Sequence, residues 1–552
     1  MGAFLKAPAQ DDNINLQHAT PLENHDDVLD YMDKHMANTM FRDEKQMFLP
    51  QANFDTVTAK AVIRNLVSRD SELHLGQHAQ EEFVQDVFVK GRKMFATCVF
   101  SEMSLTCVQA LFDDGLTDAR FPFKEEECPG LRSKRRFRTA FLINQSRFNS
   151  TYFTTDSEHQ WDNRVAKPID FDERSLLGSG AFGNVYEIWI HSGQRSFNSG
   201  YNEKGSFAMK VTRQQGTREV DFHRAMASIP PHPHLLRCLT SFTFSSSYHM
   251  VYEKAQSDVE KFMEQNSDAQ GLQVMGSKDL AQQLFGLASA LSAIHNNGHT
   301  CMQSTSLLSV PGTGPQRAGY IHDIKPENIL VFPYEQNGTR KHWFRLSDFS
   351  CAKMNDIQSS VSGKNRNSWK TVSKSGTPVY RAPEATGKEG QTSRPYDLWS
   401  LGCVYLELLV WYLEGHQSLR RFREARECHV VPEGREDEGF YFKPTVQDAF
   451  RLREVVVDKI ESVRTRCQGP LRDIANVIPD LLRIDPRHRP TAEKLVNDLK
   501  HIGKGVKPPA AVTSSVANLT KRLESLSLPT FESDASLNSN NVGGPVLNVD
   551  LY

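Results

Sequence analysis

The sequence lacks most of the features that mark secreted, metal-stapled or membrane proteins. It contains no Cys-x-x-Cys pair, and its nine cysteines are scattered. That odd, unpatterned count argues against a disulfide framework or a zinc site and suits a reducing compartment. Neither sign of charge dominates: 65 Lys and Arg stand against 67 Asp and Glu, a net of −2. No bulk field therefore points to nucleic acid or a membrane surface. No apolar signal core opens the chain, and Lys6 stands where a myristoylation signal after Met-Gly has Ser or Thr. The longest apolar run, Leu398 to Leu413, contains Glu407 and is too short to span a bilayer comfortably, so it reads as a buried helix. The sequence shows no internal repeat. The expectation is an intracellular protein, in cytoplasm or nucleus, with no nucleic-acid or membrane partner.

What is present is length and pattern. The 552 residues exceed one ordinary core, and 39% hydrophobic with 24% charged residues fits a soluble globular chain. Residues 1–45 are polar and acid-rich and read as loosely ordered, with a short helix near Val28–Met36. Over 46–119 apolar residues recur at three- and four-residue steps: Ala59, Val62, Ile63, Leu66 and Val67, then Phe83, Val84, Val87 and Phe88, then Leu105, Val108, Leu111 and Phe112. Asp55 reads as an N-cap and Asp-Asp-Gly at 113–115 as a stop. This predicts a small helical domain whose partner is unknown. Residues 120–167 read as a linker, in which Lys134, Arg135, Arg136 and Arg138 form a solvated face in preference to a nuclear-import or phosphate-binding patch. Residues 504–552, rich in Ser, Asn and Pro, read as a disordered tail, with one short helix through Leu519, Leu523 and Leu526 as the alternative.

The chemistry begins at Leu176-Leu177-Gly178-Ser179-Gly180-Ala181-Phe182-Gly183-Asn184-Val185. Three glycines at this spacing let a turn lie close to phosphates with its backbone N–H groups facing them. A dinucleotide-binding fold uses similar glycines to open a helix, whereas Val185 to Ile190 here follows a strand pattern. About thirty residues on, Phe207-Ala208-Met209-Lys210-Val211 puts one lysine into an apolar strand. A lysine there needs a carboxylate, because burying an unpaired charge is unfavourable. Glu219 is the preferred partner, with an extended loop at Ile229–His232; His223 is the alternative by its distance from His232-Pro233-His234.

Ser277 to Asn296 reads as a helix with Leu280, Leu284, Leu287, Leu291 and Ile294 on one face. After a polar insert comes Ile321-His322-Asp323-Ile324-Lys325-Pro326-Glu327-Asn328, and then Ser347-Asp348-Phe349-Ser350. Gly376-Thr377-Pro378-Val379-Tyr380-Arg381-Ala382-Pro383-Glu384, Asp397-Leu398-Trp399-Ser400-Leu401-Gly402 and Asp485-Pro486-Arg487-His488-Arg489-Pro490 follow. In this order these motifs resemble the eukaryotic protein kinase family, serine/threonine type, over about 330 residues. The helical region ahead of them also resembles an arrangement seen in kinases of filamentous fungi.

The resemblance implies an α+β, bilobal kinase fold: a small antiparallel sheet lobe over 168–255 and a large, mostly helical lobe over 256–503, preceded by the small helical domain. It implies transfer of the γ-phosphate of ATP, with Mg²⁺ or Mn²⁺, to serine or threonine hydroxyls of protein substrates. Asp323 would orient the substrate hydroxyl, Lys325 would neutralise the transferring phosphoryl group, and Lys210, oriented by Glu219, would hold phosphates. Asn328 and Asp348 would bind the metal. ATP contacts would come from Gly178, Ser179, Gly180, Gly183, Val185, Ala208, Lys210 and the hinge residues Glu253 and Ala255, with Tyr252 as gatekeeper. Thr377 would bond to Asp323 or Lys325 and position substrate, Asp397 would hold the catalytic-loop backbone, and Glu384 would pair structurally with Arg489. Three positions depart from the family pattern. Ile321 replaces a histidine. His322 replaces an arginine that binds activation-loop phosphate, and Ser350 replaces a glycine, which reduces backbone freedom at that pivot. These departures support a rival reading, a pseudokinase acting as a nucleotide-binding or scaffolding module. A small-molecule kinase is disfavoured by the Gly376–Glu384 segment. Cys351 reads as an inert buried thiol, and the hydroxyls from Ser359 to Ser375 as an ordinary polar loop.

Overall fold

The computed structural model describes residues 22–129, 131, 135–180, 183–199, 205–212, 218–226, 231–266, 274–296, 316–357, 371–372, 377–386, 391–427, 439–442 and 449–504. Lys134, the glycine-loop tip Ala181-Phe182, Ser359, Ser360, Ser362, Ser368, Ser373, Ser375 and the tail leucines lie outside them.

The first helix, α1 (His25–His35), opens on a capping box. The Asn24 side chain accepts the Asp27 N–H, and the Asp27 carboxylate accepts the Asn24 N–H. It is followed by α2 (Gln51–Val57), α3 (Lys60–Arg69), α4 (Gln77–Lys90), α5 (Arg92–Phe100), α6 (Thr106–Asp113) and α7 (Arg135–Asn144). Ile63, Val84, Val108 and Leu111 form one core with Val28 and Met32 before the predicted unit and Phe141 and Phe148 after it. The helical unit therefore reaches into both flanking stretches. Two local expectations change. Phe88 is exposed on α4, beside the Arg92 guanidinium, and Asp55 lies inside α2, where its carboxylate meets Arg92 at 2.6 Å.

An eight-stranded sheet follows: β1 (Ala37–Phe41), β2 (Glu44–Phe48), β3 (Ser157–Gln160), β4 (Ile169–Gly180), β5 (Gly183–Ile190), β6 (Phe207–Thr212), β7 (Thr240–Phe244) and β8 (Ser247–Glu253). Its order is β2-β1-β4-β5-β6-β8-β7-β3. The central five strands, β4 to β8, pair antiparallel. At one edge β1 lies in the stretch expected to be loosely ordered (1–45) and β2 crosses from it into the one expected to be helical (46–119); the other edge, β3, lies in the expected linker (120–167). β1 joins β4 in parallel at Phe41 opposite Phe171, and β3 runs parallel to β7 from Ser157 opposite Thr240. Edge strands as short and polar as Ser157-Glu-His-Gln carry little alternation to read. Their neighbours do the burying: Phe41, Phe153 and Trp161 share a core with Ile169, Phe171, Phe207, Met209 and Phe242, and Trp161 stacks on Phe242 at 3.9 Å.

Helix α8 (Arg218–Met226) lies beside this sheet, with Phe222 and Met226 buried. The remainder is mostly helical: α9 (Val259–Gln265), α10 (Ser277–His295), α11 (Arg394–Glu414), α12 (His416–Glu427), α13 (Glu454–Arg466), α14 (Pro470–Leu481) and α15 (Ala492–Asp498). Short strands β9 (Ser257–Asp258), β10 (Gln316–Tyr320), β11 (Ile329–Gln336), β12 (Thr339–Leu346) and β13 (Lys353–Ile357) carry the loops of the site. Helix α10 buries the predicted leucine stripe. Helix α11 starts with Pro395 in its first turn, is buried from Tyr396 to Tyr412 and ends at Gly415, whose φ of 80° suits glycine. Glu407, the one charge in the long apolar run, is wholly buried, and Arg423 and Arg426 each meet it at 2.6 Å. Among the described residues no helix is long and apolar enough to cross a membrane. The arrangement is the α+β one expected: a sheet-based lobe, a helical lobe and a helical unit ahead of both.

Candidate active site

The glycine loop joins two strands, not a strand and a helix. Gly178 faces Val185 and Gly180 faces Gly183 across β4 and β5. Gly183 is the glycine the backbone itself requires: its φ is +150°, and a Cβ there would sit 2.3 Å from the Val211 carbonyl oxygen. A Cβ on Gly178 would meet nothing within 4 Å. Ser179 donates its hydroxyl to Asn184 at 2.7 Å.

Lys210 projects from β6 on the side opposite Phe207 and Met209, and is 9% exposed. Its ammonium meets the Glu219 carboxylate at 3.0 and 2.8 Å, Asp348 Oδ1 at 2.9 Å and Ser350 Oγ at 3.3 Å. Glu219, from the first turn of α8, is the partner despite the nine-residue separation. His223, one turn on, instead accepts or donates at the Tyr252 hydroxyl, 2.8 Å away, with its ring against Phe349. Burial acts to lower the Lys210 pKa, but the Glu219 and Asp348 carboxylates outweigh it and hold it above its ordinary value. Burial likewise acts to raise Asp348, and Lys210 with the Ser350 hydroxyl more than offsets that, leaving it below the usual carboxylate range.

On the other lobe Asp323, Lys325 and Thr377 close a ring, and Asn328 bonds to it through Asp323. Asp323 Oδ1 accepts the Thr377 N–H at 2.9 Å and its hydroxyl at 3.0 Å. Asp323 Oδ2 lies 3.1 Å from Lys325 Nζ and accepts the Asn328 amide at 2.9 Å. Lys325 donates to Thr377 Oγ1 at 2.7 Å. The Asn328 nitrogen is thereby occupied, and its oxygen is the acceptor end of the group. Asp397, wholly buried at the start of α11, accepts the backbone N–H of Ile321 at 2.9 Å and of His322 at 2.8 Å. It also meets His295 Nε2 at 2.9 Å, a contact the sequence reading did not find. Glu384 and Arg489 form a two-pronged pair at 2.7 and 2.8 Å.

Ala208, Tyr252 and Ala255 fall in one apolar cluster together with Leu330, which the sequence reading left out. The Glu253 side chain turns to Arg345, 2.6 Å away. Cys351 is buried. The left-handed residue of the Asp348-Phe349-Ser350 turn is Asp348, with φ 52°, while Ser350 sits in a short 3-10 turn. The serine therefore meets no positive-φ strain; what it adds is a hydroxyl that bonds to Asp348.

The oxygens of Asp348 and Asn328 fit the chemistry of a hard divalent cation, which keeps waters and phosphates and needs only one or two protein oxygens. Among the described residues no group of three or more His, Cys, Asp or Glu side chains could hold a metal by itself.

Comparison with known proteins gives the same picture. The model of the protein kinase domain matches residues 171–499, more than half of the chain. The serine/threonine-protein kinase TIO of Arabidopsis thaliana is 28% identical over 247 residues, 44% of this chain and 15% of its own length. A meiosis induction protein kinase of Saccharomyces cerevisiae is 23% identical over 297 residues, 50% of this chain and 42% of its own. The serine/threonine-protein kinase fused of Drosophila melanogaster is 26% identical over 243 residues, 42% of this chain and 23% of its own. The chain spans less than half the length of each of these relatives. With a family match over residues 171–499, most of both lobes, the chain belongs to the protein kinase domain family.

Proposed function

We propose that this chain is an active serine/threonine protein kinase that transfers the γ-phosphate of magnesium ATP to hydroxyls of protein substrates. The observation that carries the reading is the meeting of Lys210 with Asp348 across the lobes, together with the ring of Asp323, Lys325 and Thr377 to which Asn328 bonds. In this reading the strand-borne glycines cover the phosphates, and the Ala208, Ala255 and Leu330 cluster receives adenine. Lys210, fixed by Glu219, neutralises the phosphates next to the leaving group. Asp323 holds the acceptor hydroxyl in line and takes its proton, and Lys325 balances charge on the group in transfer. Asp348 and Asn328 would hold the magnesium, which supplies neutralisation of phosphate charge. The Lys325–Thr377 bond supports aliphatic hydroxyl acceptors, since tyrosine kinases usually replace this lysine pattern.

The departures at Ile321, His322 and Ser350 favour the second reading, a nucleotide-binding pseudokinase. A phosphotransfer assay on generic basic and acidic protein substrates separates the two. Wild type should transfer phosphate with magnesium, and Asp323→Asn should lower kcat by about 10²–10⁴-fold. Nucleotide binding without transfer in either magnesium or manganese would favour the second reading.

A further inference from the structure

Ser350 stands where the family resemblance has glycine, and its side chain does something glycine cannot. The Lys210 ammonium has three N–H donors. Glu219 takes one at 2.8–3.0 Å, Asp348 Oδ1 another at 2.9 Å, and Ser350 Oγ lies 3.3 Å from the same nitrogen. The serine hydroxyl in turn donates to Asp348 Oδ1, and the serine backbone N–H reaches that oxygen at 3.3 Å. Three donors therefore converge on one carboxylate oxygen, against two lone pairs. Alanine or glycine at 350 would supply the backbone N–H but not the hydroxyl. Ser350 is only 8% exposed, so a hydroxyl pushed off Asp348 has little water to turn to.

We propose that the Ser350 hydroxyl is a positioning group that competes with the divalent cation for Asp348, so that this chain binds the metal of its metal-nucleotide substrate more weakly than the same site without the hydroxyl. The inference rests on the reading of Asp348 as a metal ligand. Removing a hydrogen bond to a charged partner should change cation affinity about tenfold.

The test uses full-length protein and calorimetry with ADP, without turnover. Magnesium is titrated at fixed ADP, and ADP is titrated separately in excess chelator. Ser350→Ala and Ser350→Gly should both tighten magnesium binding about tenfold and leave metal-free ADP affinity unchanged, while Ser350→Thr should follow wild type. A purely packing role for the serine would move metal-free ADP binding as well. Unchanged or weaker magnesium binding in Ser350→Ala overturns the proposal. So does tightening in Ser350→Gly alone, which would assign the effect to backbone freedom. A wild-type chain that binds ADP in chelator but gains nothing from magnesium overturns the metal reading of Asp348, and this inference with it.

Discussion

All five N–H donors of Arg489 are used. Two go to Glu384, and the others to the carbonyls of Arg483, Pro395 and Ile484 at 2.8, 2.9 and 3.2 Å, with the guanidinium 5.1 Å from the Trp399 ring. Arg489→Met would strand the Glu384 carboxylate and three carbonyls. It should destabilise the large lobe by about 3–5 kcal/mol in urea unfolding. Arg489→Lys, with the charge but not the fork, should fall between. The sequence named this pair, as it named Lys210, Glu219, Asp323 and Asp348, because each task there demands one residue type. It did not predict the Ser350 hydroxyl bond or the turn at Asp348, since both depend on where a side chain lands after the backbone has turned. His322 is a similar case. Read only as a missing arginine, it is a buried ring between Tyr320 at 4.3 Å and Tyr396 at 5.3 Å, on backbone with φ 70°.

At the scale of elements, β1 and β3 redraw the small lobe. A catalytic unit begun at residue 168 would lose Phe41, Phe153 and Trp161, which are 2%, 0% and 6% exposed. Trp161→Ala should cost about 3–5 kcal/mol of stability, from lost transfer and the cavity left beside Phe242. Differential scanning fluorimetry should also give a fragment starting at 168 a lower melting point than one starting at 22. The helices α3 and α10 were legible because a 3.6-residue apolar period is local, and α11 because its apolar run is nearly continuous. The edge strands were not, because β3 pairs with β7 some 83 residues away and each strand buries little of itself.

Across the whole molecule, buried histidines set the response to acid. Burial pushes His232 and His249 down to about 4 from an ordinary 6.5, and holds His234 well below its ordinary value too. Below pH 6.5 the unfolded chain takes up protons that the native histidines refuse until about pH 4. Their stabilisation is therefore complete above pH 6.5 and is lost as pH falls towards 4. Asp118 pushes the other way: burial lifts its carboxyl to about 6, so its protonation below that value favours the native state. Thermal midpoints should fall between pH 6.5 and 4, and His249→Phe, which keeps a ring stacked on Phe242, should flatten the decline.

Asp397 holds the amides of Ile321 and His322 with a carboxylate that no solvent reaches. Deuterium can enter those two sites only when α11 lets go of the catalytic loop, an event that dismantles the centre of the large lobe. Their exchange should run at the pace of global opening, slower than the amides of β3 at the rim. Read by mass spectrometry, that pair of amides becomes a built-in clock for how often the entire lobe comes apart.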